Sequence, residues 1–241
     1  DAGITPKELW ALLRKNGKDV TIISHTGATG MGTDWDKYGK IDHAVENLVE
    51  IYQGARVSYE GLDTPQPTVG FPKGKKLEED AHGSVKTSKG FGKFNKGVYQ
   101  NALRNGYNLG VFANSDHIST HTSFGGVYTE SFTRKGILDA LNARRTIAGT
   151  DKIFIEFTCN GHLLGRIFET ADKPKLTVRV RGTAPLRAVT IVRNEMNIRR
   201  VAPKKATTDL DVTFTDEEPI KGVNRYYVRV EQVDGNMGWA S

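Results

Sequence analysis

The sequence predicts an α/β chain: a parallel α/β layer or barrel over residues 1–150, then a small antiparallel β-sandwich over 151–241. Three observations predict it. Helical and strand-like segments alternate up to Gly149, the pattern of parallel strands joined by helices. Beyond Gly149 the apolar residues recur with period two. Between two such runs stands Asn160-Gly161, the dipeptide of a tight hairpin. The boundary falls near Thr150, and no internal repeat is present.

The first element is a helix. Thr5 suits its N-cap, Pro6 its first position, Glu8 closes a capping box and Gly17 follows the last turn. Leu9, Trp10, Leu12 and Leu13 give it an apolar face. Val20 to Ile23 is a β-branched run ending at Ser24-His25, which reads as a buried strand. After a Gly-rich loop come a weak helix near Ile41 to Asn47 and a strand from Leu48 to Tyr52. From Tyr59 to about Asn95 the composition turns to Gly, Pro and Lys, as in a long insertion or active-site loop. A helix from Val98 to Arg104, stopped by Gly106, leads into a strand from Leu109 to Ala113, and Thr133 caps a helix from Lys135 to Arg145. In the second part, Ile153 to Cys159 and Leu163 to Phe168 form the hairpin. Leu176 to Val180, Ala188 to Val192, Leu210 to Phe214 and Tyr226 to Val230 continue at strand spacing.

Composition narrows the functional classes. Cys159 is the single cysteine among 241 residues, which excludes a disulfide framework and a thiolate zinc cluster within the chain; its apolar run makes it a buried strand residue. No apolar run is long enough to span a bilayer, and no basic-then-apolar leader opens the sequence. The compartment stays open, with a periplasmic or secreted one favoured. The net charge of +6 gathers in two patches, Lys73 to Lys96 and Arg193 to Lys205. Neither interleaves aromatics as a nucleic-acid motif does, so each reads as a solvated surface or an anion-attracting rim.

Chemistry-bearing residues cluster at strand ends. His25 follows the first strand, Glu50 and Gln53 lie in or after the second, and Asp116 and His117 follow the third. In parallel architectures such ends converge on one face. Imidazole and carboxylate together suit zinc, manganese or iron. Each residue also has a plainer role: His25 as a hydrogen-bonded loop residue, Asp116 as a turn cap, Glu50 as the partner of a neighbouring strand, His121 as part of a Ser/Thr-rich loop. His43, His82 and His162 read as surface residues. No dinucleotide fingerprint and no nucleophile elbow are present.

The segment Ile22-Ile23-Ser24-His25-Thr26-Gly27 resembles the PHP (polymerase and histidinol phosphatase) superfamily of metal-dependent hydrolases, where a strand ends in a metal-binding histidine. Val49-Glu50-Ile51-Tyr52 is similar to the strand those proteins place next, and Gly110 to His117 to their last metal motif. The runs from Gly136 to Thr146 and from Tyr226 to Gln232, with Trp239-Ala240-Ser241, resemble a branch of uncharacterised function that carries a β-rich C-terminal module. The resemblance spans nearly the whole chain. It implies a distorted PHP-like barrel portion before Thr150 and a metal cluster of zinc, manganese or iron held by His25, Asp116 and His117. Glu50 and His121 would stand just behind the ligands.

The sequence departs from that family twice. No His-x-His pair precedes His25, so the resemblance implies a C-terminal portion whose remaining ligands lie on another piece. Asp116 and His117 are adjacent where the family has a residue between: both reach the metal, His121 replaces His117, or the site is inactive. The resulting expectation is a phosphoesterase-like hydrolase in which metal-bound water attacks an anionic small-molecule substrate held by Arg56 or by the Lys73 to Lys96 segment. An N-terminal piece or a partner subunit would cover the open sheet edge. Neither specific nucleic-acid binding nor a membrane span is expected. The alternative is a non-catalytic structural or assembly protein on a PHP-like scaffold.

Overall fold

The computed structural model of the chain describes residues 4–17, 19–25, 27–28, 32–54, 58–68, 95–115 and 122–241. Helix α1 (Pro6–Lys15) begins as its sequence dictates. The Thr5 hydroxyl accepts from the Glu8 amide at 3.3 Å, and the Glu8 carboxylate accepts from the Thr5 amide at 2.6 Å. Arg14 and Lys15 fill the last turn, where positive charge opposes the negative end of the helix dipole.

Strands β1 (Ile22–Ser24), β2 (Glu46–Gln53) and β3 (Gly110–Asn114) pair in that order as a parallel sheet. All eight residues of the middle strand β2 are buried, as befits a parallel strand covered on both faces. The weak helix expected before it is a single turn. The Asp42 carbonyl accepts from the amides of Val45 and Glu46 and its carboxylate from that of Ala44, after which the chain extends. A 3-10 turn (Asn95–Gly97) leads to helix α2 (Tyr99–Arg104), which buries Tyr99, Ala102 and Leu103 and ends before Gly106 at φ +87°.

The chain continues through β4 (Phe124–Val127), α3 (Arg134–Asn142), β5 (Thr146–Gly149), β6 (Phe154–Cys159), β7 (His162–Leu163), β8 (Lys175–Arg181), β9 (Leu186–Arg193), β10 (Met196–Val201), β11 (Asp209–Thr215), β12 (Tyr226–Gln232) and β13 (Met237–Ala240). Asn160 and Gly161 turn the β6–β7 hairpin with φ of +49° and +81°, as a two-residue turn requires. A four-stranded antiparallel sheet runs β11-β8-β6-β7, and a six-stranded one runs β10-β9-β12-β13-β5-β4.

The six-stranded sheet is the central layer, and period-two alternation assigns its two faces. Val189, Ile191, Val228 and Val230 pack with Ile155, Val178 and Val212 of the four-stranded sheet. Their neighbours Val192, Tyr227 and Trp239 pack with Val49, Ile51 and Val111 of the parallel sheet. Each such side chain, fully buried, contributes about 1.5–3 kcal/mol, so both interfaces hold the central sheet.

These layers overturn the α/β expectation. Among the described residues strand outweighs helix nearly three to one, too little helix to cover a parallel sheet on both faces, and the three parallel strands form a small sheet rather than a PHP-like barrel. Nor does the sheet break at Thr150: β5 pairs with β13 and with β4, so strands from both sides of that position share the central layer. The sequence hid these strands for physical reasons. In β4 a Cβ on Gly125 would stand 2.3 Å from the Phe112 ring, and one on Gly126 would stand 2.5 Å from Ile147. Close packing thus demands glycines that read as loop. In β10 the exposed Arg199 and Arg200 masked a strand as a basic patch.

Candidate polar site at the ends of the parallel strands

Parallel strands gather their carboxyl ends, and here they gather His25, Glu50 and Asn114. The register pairs Ser24 with Val49 and Gln53 with Asn114. His25 Nδ1 lies 3.0 Å from Glu50 Oε2, and Asn114 Nδ2 donates to Glu50 Oε1. The Glu50 side chain is fully buried while the imidazole is 56% exposed. A buried carboxylate is tolerated when donors satisfy it, and both neighbouring strand ends reach this one. A proton on Nδ1 fixes the ring orientation and makes Nε2 the basic nitrogen.

Backbone contacts brace these ends. The Gly54 amide donates to the Asn114 carbonyl at 2.7 Å, and a Cβ there would stand 2.0 Å from Thr122 Oγ1. Ser115 and Ser123 are tied to each other: the Ser123 amide donates to Ser115 Oγ at 3.1 Å and Ser115 Oγ donates to the Ser123 carbonyl at 3.2 Å. The Tyr59 hydroxyl donates to Gln53 Oε1 at 2.9 Å.

The structure thus joins two of the sequence-predicted residues, His25 and Glu50. Asp116, His117, His121 and Arg56 lie outside the described residues, as do His82 and residues 73–94 of the first basic segment. Among the described residues, no three His, Cys, Asp or Glu side chains stand together as a metal-holding group. Lys96, at the end of that segment, lies 3.2 Å from Asp36. In the second basic patch Arg193 is buried against Asp216, with Nη1 at 2.7 Å from Oδ2. Cys159 is half-buried, its thiol pushed up to about 11 by burial. His162 is exposed beside the Phe168 ring.

Sequence reasoning missed two buried acids. The first is Glu46, at the start of β2. Its Oε1 accepts from Ser24 Oγ at 2.5 Å and from the Tyr38 hydroxyl at 2.8 Å, while its Oε2 is buried without a hydrogen-bond partner among the described residues. Burial holds the Glu46 carboxyl above its usual range against the pull of those hydroxyls, and burial with the nearby Glu46 raises Tyr38. These groups line a cleft of about 510 Å³ that also reaches His25. The signal was available: an acid among apolar residues at the head of a buried strand.

The second is Glu60. Its Oε1 accepts from Arg229 Nη1 at 2.5 Å and the Tyr227 hydroxyl at 2.8 Å, and its Oε2 from Trp239 Nε1 at 2.8 Å. This network pins the segment after β2 onto the central sheet. No local pattern announces it, because its partners lie more than 160 residues away.

Among the described residues, no helix is long and apolar enough to cross a membrane. No family model matches the chain, and no solved structure matches it. It is similar to an uncharacterised protein of Chlamydia pneumoniae, 27% identical over 246 residues, and to one of Chlamydia trachomatis serovar D, 26% identical over 240 residues. A third, from Chlamydia muridarum, is 27% identical over 241 residues. Each alignment covers 92% of this chain and 37% of the relative, so the chain spans just over a third of the length of the proteins it matches.

Proposed function

We propose that the chain supplies part of the site of a metal-dependent hydrolase acting on phosphate esters. The observation that carries this reading is the contact of His25 with the buried Glu50. Metal-ligating histidines characteristically give their other ring nitrogen to a carboxylate, which fixes the ring and strengthens its basicity. In this reading Glu50 orients His25 and Asn114 holds Glu50, while Asp116 and His117, which follow Asn114 and Ser115 in the chain, add two more ligands. His121 stands behind them, and Arg56 draws the anionic substrate. Imidazole and carboxylate fit zinc, manganese or iron, and such an ion when bound acidifies water and polarises the ester oxygen. Further ligands, and a strand for the outer edge of β1, come from another piece or subunit.

Metal titration of the chain against a competing chelator dye tests this. Zinc or manganese binds the chain, His25→Ala removes the binding, and Glu50→Gln weakens it by about 10- to 100-fold. Equal affinity in all three proteins would sink the reading. The chain alone hydrolyses model phosphoesters weakly or not at all, and a polypeptide carrying a His-x-His pair restores turnover. Robust hydrolysis by the isolated chain would show that no second piece is needed.

A further inference from the structure

We propose that the cleft in front of Glu46 binds the hydroxyl-bearing organic part of the substrate, which makes the substrate class a phosphate ester of a sugar or polyol. This rests on the hydrolase reading only for the phosphate end.

The argument starts from the hydrogen bonds of Glu46. Both hydroxyls that reach its carboxyl, Ser24 and Tyr38, are placed on Oε1. The other oxygen, Oε2, is buried with no partner among the described residues, and Glu46 lines the cleft. A carboxyl oxygen out of water needs a hydrogen bond in either protonation state, to accept when ionised or to donate when protonated. An alcohol hydroxyl donates and accepts, so it satisfies Oε2 in both states. A phosphate or carboxylate group is repelled by the ionised form, and an ammonium group serves only that form.

The rest of the cleft suits such a ligand. Leu9, Trp10 and Ile22 give it an apolar lining that takes the carbon face of a ring, and Asp34 and Lys37 add polar groups for further hydroxyls. Its volume of about 510 Å³ suits a group the size of a monosaccharide. Ser24, which holds Glu46, is followed directly by His25, which lines the same cleft and contacts Glu50. Two consecutive residues at one strand end therefore serve the hydroxyl site and the proposed metal site. A substrate lying across them presents its polyol to Glu46 and its ester to His25.

Titration of the ¹⁵N-labelled, metal-free chain with D-glucose, glucose 6-phosphate and phenyl phosphate, followed by NMR, tests the assignment. The first two shift the amides of Ile22 to Ser24 and of Tyr38, and phenyl phosphate, which has no alcohol hydroxyl, leaves them in place. Glu46→Gln weakens glucose binding by about tenfold, the effect of replacing a charge-assisted acceptor. Tyr38→Phe and Ser24→Ala weaken it less and carry the test if Glu46→Gln does not fold. Shifts confined to another surface, an equal response to phenyl phosphate, or unchanged affinity in the folded variants overturn the proposal. Hydrolysis is read separately with metal present. A chain that binds glucose through Glu46 but cleaves no ester in any assembly sinks the hydrolase reading and leaves the cleft standing. Equal KM for glucose 6-phosphate and phenyl phosphate does the reverse.

Discussion

Glu46 and Glu60 are both fully buried, yet they predict opposite responses to substitution because only one faces a buried cation. Glu60 neutralises Arg229, whose own side chain is 3% exposed. Glu60→Ala takes the close carboxylate from that buried guanidinium, leaving Glu231 at 3.9 Å, and lowers the unfolding free energy by about 3 kcal/mol, as urea denaturation will show. Among the described residues Glu46 has hydroxyls for partners and no buried cation, and its carboxyl is raised above 4.5 chiefly by desolvation. Between 4.5 and its folded-state pKa the folded chain holds a proton that the unfolded chain has released, so this residue's contribution to stability falls as pH rises through that window. Glu46→Gln removes the dependence. The variant should resist urea better than the parent chain at pH 7, with the difference closing below about pH 4.5. Parallel pH profiles for the two proteins would contradict the buried, protonatable carboxyl. Since the same substitution is expected to weaken ligand binding, stability and affinity should move in opposite directions.

At the level of elements, what the sequence announces is what local chemistry decides. The α1 capping box is complete within four residues, and Thr5→Ala should cost about 1 kcal/mol in thermal or urea denaturation. The β6–β7 turn and the buried run of β2 were equally readable, since a left-handed dipeptide and a continuous apolar strand are local properties. What escaped was decided by partners distant in sequence. Strand β4 is Phe-Gly-Gly-Val because Phe112 and Ile147 occupy the space where side chains would stand. Only the finished packing explains its composition. The candidate site divides the same way: strand ends pointed to His25 and Glu50, whereas Glu46 was read as part of a helix. A sharper case is Gly97, where an added Cβ would stand 1.5 Å from the Gly27 carbonyl oxygen. Gly97→Ala forces two backbones apart beside the strand end that carries His25. It should destabilise by about 1–3 kcal/mol or more and weaken metal binding, a joint loss visible by melting and titration.

For the whole molecule, the central sheet decides cooperativity. With β5 and β13 paired across Thr150 and both faces of that sheet buried, calorimetry should show one unfolding transition for the chain. A fragment of residues 151–241 keeps β13 but loses its β5 partner, the apolar cover over Tyr227 and Trp239, and the Glu60 carboxylate that Arg229 needs. It should show poor NMR dispersion rather than a native spectrum; a well-dispersed spectrum would establish the sandwich as an independent unit. The bond from Trp239 to Glu60 closes 179 residues of chain, and this has a consequence in time. Contacts so distant form only after the entropy of a very long loop has been lost, which slows folding. During synthesis the parallel strands leave the ribosome before β12 and β13 and wait, their inner face uncovered, until those strands emerge to close over them. The chain is therefore most exposed to misassociation in the interval before β12 and β13 emerge, and a chaperone that shields apolar sheet should matter more to its yield than to its final stability.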